Sequence, residues 1–366
     1  MNVTGSDKLD DKIVIVGAGP AGLLCAYLLS EVGFKPLVIE QGEKVEDRVK
    51  TIEKFFETNE LNPLSNIQFG EGGAGTFSDG KLNTLVKDKL YRGKKVFEIF
   101  VENGAPQEIM YLAKPHIGTD ILRKVIINMR NKIINMGGEF RYSTKLTNIS
   151  IVDNKVSSIE VNNNETIDCL VLVLAIGHSS RDTFYMLKDK GLNIKAKNFA
   201  VGLRIEHPQE MISKSQYGEF YKLLPPASYK LVHQTKSGRG VYSFCMCPGG
   251  FVVNASSEKN RLVVNGMSNY DRGEINANSA IVVTVTKDDF GDDAMAGIEF
   301  QRKLEENAYR IGNGFIPVQL FKDYNNDVVS EKFGEVRPNT KGHYNFANLN
   351  EIFPEFINVA IKEAIP

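Results

Sequence analysis

A short apolar run that ends in closely spaced glycines constrains the fold of this chain more than any other feature. Ile13–Val16 has the composition of a buried strand, and glycines follow at positions 17, 19 and 22. Apolar residues then recur at helical spacing as far as Val32, and Leu37–Ile39 predicts a second strand that ends at an acid, Glu40. This order of strand, glycine turn, helix and strand is typical of a βαβ unit that binds a dinucleotide.

Each residue of this motif has a role in that prediction. Gly17 permits a sharp turn, Gly19 lets the backbone approach a pyrophosphate, and Gly22 lets the helix pack closely on the strand. The helix N-terminus offers N–H groups and a partial positive charge to the phosphates. Glu40 is expected to accept hydrogen bonds from ribose hydroxyls and to disfavour a 2′-phosphate by charge repulsion. A glycine-rich turn without a ligand is the alternative, but strand, apolar stripe and acid in register favour the nucleotide site.

The composition is that of a globular protein with two domains or one elaborate domain. The chain has 366 residues, of which 42% are hydrophobic, and its net charge is −1. This balance gives no indication of binding to nucleic acid or to an anionic membrane. The four cysteines do not make a disulfide framework, and the polar, acidic N-terminus is unlike a signal peptide. We therefore expect a cytoplasmic protein with neither a membrane nor a nucleic-acid partner.

Helical and strand-like segments alternate over the first half of the chain. Residues 43–60 and 94–112 favour helices, and Thr119 or Asp120 is a candidate N-cap of a helix that Gly137 and Gly138 would end. Strand candidates follow at 139–143, 145–151 and 155–161, and the turn Asp153-Asn154 joins the last two. Residues 169–176 are continuously apolar, which predicts a parallel strand buried on both faces.

Short strands dominate from about residue 190. The strand candidates are 199–206, 228–233, 241–247, 250–254, 261–266 and 279–286, and helices are expected near 294–311 and 349–363. These segments predict a β-rich α+β domain inserted after the nucleotide domain. We place the nucleotide domain at 1–188, the substrate domain at 189–348, and the start of a return to the nucleotide domain at 349–366.

Six further motifs span nearly the whole chain. They are 66–82, 115–120, 177–182, 204–207, 244–250 and 265–268. Together with the glycine turn and the strand end at 175–177, they resemble the flavoproteins with two dinucleotide-binding domains. More narrowly, the chain is similar to the bacterial family of uncharacterised FAD-dependent dehydrogenases, also called NAD(FAD)-utilising dehydrogenases. The resemblance implies an α/β fold with a Rossmann-like FAD-binding domain, in which a parallel sheet is accompanied by a three-stranded β-meander.

The resemblance also implies FAD as the cofactor and names its contacts. The pyrophosphate would lie at Gly17, Gly19, Pro20, Ala21 and Gly22, the adenosine ribose at Glu40 and Gln41, and Arg48 near the adenosine or phosphate side. Leu146 would meet the adenine through its backbone, and Ala175 and Gly177 would line the cofactor. The segment that passes along the phosphate and the flavin would comprise Gly72, Gly73, Ala74, Gly75, Thr76, Lys81 and Leu82.

The end of the chain departs from the pattern of these flavoproteins. They return after the substrate domain to the nucleotide domain and finish with a glycine-rich helix whose N-terminus points at the flavin ring. The present sequence stops at Pro366, where that return should begin. We therefore expect a gene fragment or a split protein, without the final segment of the FAD domain and without the extra N-terminal domain common in the family.

The glycine-rich loop 69–80 is interpreted as a second cradle of backbone N–H groups beside the flavin, with Lys81 placed to balance negative charge on a reduced ring. A flexible surface loop is the alternative, although ordering so many glycines costs entropy unless a ligand or a core holds them. His178 directly follows the apolar strand and is a candidate contact of cofactor or substrate, or else a capping residue. His116 is a weaker candidate of the same kind.

Two groups in the second half are candidates for chemistry. Arg204 and Glu206 are expected on one strand face and His207 on the other, so that Arg204 would bind a substrate carboxylate or else pair with Glu206. Cys245 and Cys247 are expected on one side of a strand. Because there is no second pair of cysteines and no Cys-x-x-Cys, we expect buried cysteines rather than redox chemistry, and no metal.

The leading functional hypothesis is a flavin-dependent oxidoreductase that transfers a hydride between a small-molecule substrate and FAD. Only one dinucleotide fingerprint is visible, so a nicotinamide donor, NAD(P)H, would come from outside. A flavoprotein that modifies RNA is one alternative, and a non-catalytic FAD-binding fragment or module is another. The sequence leaves the substrate, the electron acceptor and the oligomeric state open.

Overall fold

The computed structural model describes residues 13–82 and 87–365, which fall into two compact units. The first unit comprises the described residues up to Ile52 together with Asn62–Leu192. The second comprises Glu53–Leu61 and the described residues from Asn193 onward. The division at Leu192 lies close to the boundary at 188/189 that the sequence predicts.

The first unit contains the nucleotide-binding pattern. Its elements are β1 (Ile13–Val16), α1 (Pro20–Glu31), β2 (Leu37–Ile39), α2 (Val45–Thr58, whose end belongs to the second unit), α3 (Arg92–Glu102), α4 (Thr119–Asn135), β3 (Glu139–Arg141), β4 (Leu146–Val152), β5 (Lys155–Val161), β6 (Glu165–Asp168), β7 (Val171–Leu174) and α5 (Arg181–Asp189). Short 3₁₀ turns cover Gly73–Phe77 and Gln107–Met110.

A parallel sheet in the order β3-β2-β1-β7 forms the centre of the first unit. Beside it, β4, β5 and β6 form an antiparallel meander in sequence order. The predicted α/β fold with a Rossmann-like sheet and a three-stranded meander is therefore confirmed. The turn between β4 and β5 is also confirmed, since Asp153 and Asn154 both adopt the left-handed conformation that a two-residue hairpin turn requires.

One strand of this unit was not predicted, and the predicted burial of another is wrong. The segment predicted at 139–143 joins the parallel sheet as β3, and the third strand of the meander is β6, which the sequence analysis missed. The apolar strand β7 is not buried on both faces: Val171–Val173 are only partly buried, and Leu174 is 36% exposed. The reason is that β7 lies at the edge of the sheet among the described residues, with β1 as its neighbour.

Helix ends follow glycine positions more closely than capping side chains. The helix predicted at 94–112 ends at Glu102, because Gly104 takes a φ of 103° and turns the chain. The N-cap of α4 is Gly118, not Thr119 or Asp120, and the Thr119 hydroxyl instead donates to the carbonyl of Thr76 (2.5 Å). The helix ends before Gly137, as predicted.

The core of the first unit lies between the parallel sheet and helices α1, α3 and α4. Ile15 and Val38 from the sheet, Leu23 and Tyr27 from α1, and Ile133 from α4 are all fully buried in one cluster. Burial of each such side chain contributes about 1.5–3 kcal/mol. This packing holds the end of β1 and the start of α1 in a rigid frame.

The second unit is rich in strands, as predicted. Its elements are β8 (Phe199–Pro208), α6 (Gln209–Tyr217), β9 (Val232–Gln234), β10 (Gly240–Cys247), β11 (Phe251–Asn254), β12 (Val264–Met267), β13 (Asn276–Val285), α7 (Lys287–Phe290), α8 (Ala296–Ile311), β14 (Ile316–Val318), α9 (Phe321–Asn325), β15 (Thr340–Lys341), β16 (Tyr344–Phe346) and α10 (Glu355–Ala364). Two 3₁₀ turns cover Gly218–Leu223 and Leu349–Glu351.

An antiparallel sheet in the order β8-β13-β10-β9 organises this unit, beside a three-stranded sheet β12-β11-β15 and the pair β14-β16. The last helix, α10, packs on the large sheet: Ile357 and Ile361 are fully buried in one cluster with Val241 and Val283. Residues 349–365, which the sequence analysis assigned to a return to the nucleotide domain, therefore lie in the second unit instead.

Candidate cofactor site

The glycine turn after β1 is held by backbone contacts that leave no room for side chains. Gly17 has a φ of 102°, and its N–H donates to the carbonyl of Ile39 (2.8 Å). A Cβ at Gly17 would lie 2.4 Å from the carbonyl oxygen of Ala175, and one at Gly22 would lie 1.9 Å from that of Gly17. The turn therefore fits between the ends of β1 and β7, and α1 packs directly on it.

Glu40 is the acid at the end of β2, and its carboxylate is buried, with 6% of the residue exposed. One carboxylate oxygen accepts the N–H of Ala18 (2.8 Å), and the other accepts those of Gly42 (2.9 Å) and Gly70 (3.0 Å). Glu40 thus ties three backbone segments together at the glycine turn. Because a carboxylate oxygen can accept more than one hydrogen bond, these contacts are compatible with a further bond from a ribose hydroxyl, and the ribose contact of Glu40 stays a prediction.

The glycine-rich loop is packed against this turn and is not a mobile surface segment. The N–H of Gly72 donates to the carbonyl of Ala18 (2.8 Å), and a Cβ on Gly73 would lie 3.2 Å from the Cα of Gly19. Thr76 and Phe77, in the 3₁₀ turn that follows, are 0% and 1% exposed. The loop is thereby ordered by the protein itself, directly over the start of α1.

The glycine-rich loop is held in place by a buried acid, Glu71, and by the cation of Arg130. Glu71 is 0% exposed and accepts from Val45 N–H (2.8 Å), the Tyr142 hydroxyl (2.7 Å) and Arg130 (2.8 Å). Arg130 also donates to both carboxylate oxygens of Glu46. Burial raises the pKa of Glu71, while its three donors oppose that rise. The cluster fixes the residue that precedes Gly72.

A cavity of about 510 Å³ opens between these elements. The predicted cofactor residues that line it are Gly17, Gly19, Pro20, Ala21, Glu40, Gln41, Gly73, Ala74, Leu146, Ala175 and Gly177. Predicted residues outside its lining are Gly22, Arg48, Gly72, Gly75, Thr76, Lys81 and Leu82. The structure therefore brings the glycine turn, the acid, the start of the meander and the end of β7 around one space.

The cavity also has walls that the sequence analysis missed. Thr183, Phe184 and Leu187 of α5 line one side, and Gln68, Thr144 and Lys145 contribute polar groups. The spacing of Thr183, Phe184 and Leu187 after Ser180 is an amphipathic helix signal that could have revealed α5. Lys145 forms an ion pair with Asp182 at the first turn of that helix.

The three candidate catalytic residues have different surroundings. His178 lines the cavity, and its Nδ1 lies 2.9 Å from the hydroxyl of Ser179, which donates to the side-chain oxygen of Gln68. Lys81 forms an ion pair with the buried Asp79 (2.9 Å), and its segment pairs with that of His116. Arg204 belongs to the second unit.

Arg204 is held by neutral acceptors. Its guanidinium donates to the side-chain oxygen of Asn278 (2.5 Å) and to the carbonyl of Cys245 (3.3 Å). Glu206 instead accepts from Asn276 (3.3 Å) and from the N–H of Asn339 (2.8 Å), and burial raises its pKa. The alternative in which Arg204 pairs directly with Glu206 is therefore not what the structure has.

The expectation that Cys245 and Cys247 lie on one side of a strand is wrong. The pairing of β10 with β13 shifts register between Phe244 and Cys247, and Cys245 takes a φ of 48°. This bulge breaks the alternation of side chains. None of the four cysteines, all of which lie in the described part of the chain, takes part in a disulfide. Among residues 13–82 and 87–365 there is no cluster of three or more metal-binding side chains.

Comparison with known proteins places this geometry in a class. Residues 15–59 match the NAD(P)-binding Rossmann-like domain, and residues 198–366 match the domain described as "FAD-dependent protein, C-terminal domain-like". Together with the site around the glycine turn, they define a flavoprotein whose cofactor is FAD. The described helices include none that is long and apolar enough to cross a bilayer.

One relative shows the family more narrowly. An uncharacterised protein of Clostridium beijerinckii is 49% identical over 368 residues, which cover 99% of this chain and 68% of the relative. The chain therefore belongs to the same family as this Clostridium protein, a family of uncharacterised FAD-dependent proteins.

Solved structures resemble the chain only distantly. The L111Y mutant of the halogenase PltM in complex with FAD is 13% identical, covers 81% of this chain and 56% of its own, and has a TM-score of 0.38. THI4 of Thermovibrio ammonificans is 14% identical, with coverage of 50% and 64% and a TM-score of 0.33. The chain thus spans less than two thirds of either protein, and likenesses of this size do not bear on what it does.

Proposed function

We propose that this protein is a FAD-dependent oxidoreductase that transfers a hydride between a small-molecule substrate and its bound FAD. The observation that carries the proposal is the single cavity on which Gly19, Glu40, Leu146 and Gly177 converge. A site of this kind, with a helix N-terminus at one wall and a buried acid at another, suits a dinucleotide. At Gly19 a Cβ would meet no atom closer than 3.8 Å, so the backbone there is open to a pyrophosphate.

The chain's own residues would bind and orient the cofactor. The first turn of α1 and the facing Gly73 are the proposed pyrophosphate contacts, Glu40 is the proposed ribose contact, and the wall of α5 with Leu146 is apolar enough for the adenine. When bound, FAD supplies the hydride acceptor or donor, and the protein supplies position and charge. NAD(P)H from solution is the proposed external donor, and the cytoplasm the proposed location.

His178 is the candidate best placed to move a proton, because it lines the cavity and its Nδ1 lies 2.9 Å from the hydroxyl of Ser179, whose own hydrogen is donated to Gln68. Arg204 is the proposed contact of a substrate carboxylate, since its guanidinium is bonded to amide and carbonyl oxygens rather than to an acid. For Lys81 the role beside a reduced flavin stays part of the proposal, with Asp79 as its present partner.

The test is a visible spectrum of the purified chain, followed by anaerobic addition of NADH or NADPH. Retained or reconstituted FAD that is bleached by the nicotinamide, or by a candidate carboxylate substrate, supports the proposal. A chain that binds ADP but neither retains nor takes up FAD would favour a non-catalytic nucleotide module. A yellow protein that keeps transfer RNA through purification would favour the RNA-modifying alternative.

A further inference from the structure

We propose that Arg48 is a positioning residue that shapes the FAD cradle from behind without touching the cofactor. The inference rests on the proposed cofactor site and replaces the direct contact that the sequence analysis predicted. Arg48 is 0% exposed and is not among the residues that line the cavity. Its function must therefore be carried by the segment that it contacts.

That segment is the start of the glycine-rich loop. The Nε of Arg48 donates to the carbonyl of Asn66 (2.9 Å), and Nη2 donates to that of Ile67 (2.9 Å). Nη1 donates to the carbonyls of Glu71 (2.7 Å) and Gly73 (3.0 Å). One rigid guanidinium thus gathers four carbonyls of residues 66–73 around a single point.

The chemistry of these contacts indicates that Arg48 fixes the shape of the loop rather than adding to the stability of the protein. All four described bonds go to neutral carbonyls, so that the charge is buried without a directly bonded carboxylate. Burial lowers the pKa of Arg48 to about 9. Burying a cation is costly, and only the planar fork of arginine can donate in four directions at once. A lysine has one nitrogen and cannot reproduce that pattern.

Two residues transmit the position of Arg48 to the cavity. A Cβ on Gly70 would lie 2.4 Å from the Cδ of Arg48, and the N–H of Gly70 donates to the carboxylate of Glu40 (3.0 Å). Gly73, whose carbonyl accepts from Arg48, lies against Gly19 at the start of α1. A shift of the guanidinium therefore moves both the ribose acid and the backbone that faces the pyrophosphate.

The test compares Arg48→Lys with Arg141→Lys and the wild type. Arg141 also makes a two-pronged bond, to Glu165, but it does so on the surface of the same unit, so it is a matched control. We expect FAD affinity to fall at least tenfold in Arg48→Lys and to stay within twofold in Arg141→Lys. Hydrogen exchange of apo-protein amides should speed up in residues 66–73 and not in β1 or α4.

Gly70→Ala and chemical rescue keep the inference testable if Arg48→Lys folds poorly. Gly70→Ala displaces Arg48 from the loop side. If both substitutions disturb this one contact, the double variant Arg48→Lys/Gly70→Ala should bind FAD no worse than whichever single variant has the lower FAD affinity. Ethylguanidinium should restore FAD affinity to Arg48→Ala, and ethylammonium should not, which a general loss of fold would not produce. Additive losses, no rescue, or wild-type affinity in Arg48→Lys would overturn the inference while leaving the FAD site intact. Failure of the wild type to bind FAD would overturn the proposed function itself.

Discussion

Replacing the buried carboxylate in Glu40→Gln should destabilise the first unit even in the absence of any nucleotide. Glu40 accepts three backbone N–H groups on two oxygens, at 2.8, 2.9 and 3.0 Å. A glutamine has one acceptor oxygen. Its best orientation keeps that oxygen toward Gly42 and Gly70 and turns the amide NH₂ toward the N–H of Ala18.

The magnitude follows from the bonds that are lost. A hydrogen bond to a charged acceptor contributes about 1.5–3 kcal/mol, and a buried donor left without a partner costs a similar amount. The two bonds that remain become weaker because the acceptor is neutral. We therefore expect the free energy of unfolding of the first unit to fall by about 2–4 kcal/mol, which lowers the urea midpoint by about 1 M or more.

The assay is urea unfolding of the apo protein followed by circular dichroism, since the chain has no tryptophan to report by fluorescence. Hydrogen exchange at the amides of Ala18 and Gly70 identifies the site of the loss. Glu165→Gln is the control, because its side chain is 47% exposed and its pair with Arg141 is screened by solvent, so its removal should leave the urea midpoint almost unchanged. The reasoning is refuted if Glu40→Gln unfolds at the wild-type urea concentration, or if Glu165→Gln loses as much stability.

Three further predictions concern the glycine turn after β1, the ion pair of Arg239 with Asp289, and a close contact of Gly266 in the second unit. Gly22→Ala would place a Cβ 1.9 Å from the carbonyl oxygen of Gly17, so FAD affinity measured by titration should fall more than tenfold, whereas Gly334→Ala, with no atom near its Cβ, should bind as the wild type does. Hydrogen bonds from Arg239 lower the pKa of Asp289 from its usual 3.8, so the stability that it contributes is present above about pH 4 and is lost progressively as the pH falls through the lowered pKa; Asp289→Asn should therefore cost about 1 kcal/mol in urea unfolding at pH 7, and this cost should shrink steadily as the pH is lowered below 4. Gly266→Ala would place a Cβ 2.4 Å from Arg204, so the second unit should lose about 1–3 kcal/mol, seen as faster hydrogen exchange in β13; exchange unchanged from the wild type would contradict this.

Local signals carried most of the fold prediction for the first unit. A strand that breaks at a glycine, an amphipathic helix and a second strand ending in an acid lie within one continuous stretch, so their geometry depends on neighbours in sequence. The turn at Asp153-Asn154 was predictable for the same reason, because the residues that form it supply the left-handed backbone themselves. The bulge at Cys245 was not, because it arises from the register between β10 and β13, whose residues lie far apart in the chain.

The candidate cofactor site likewise has one part that the sequence predicted and another that only the structure showed. The sequence alone determined that Gly17, Gly22 and Glu40 would meet at a nucleotide-type turn, since the spacing of one βαβ unit brings them together. Only the tertiary structure decided that Arg48 lies behind the loop rather than in the cavity, that α5 forms a wall, and that β7 is an edge strand. Burial and sheet order depend on which distant segments pack against a residue, and this information is not present in its local pattern.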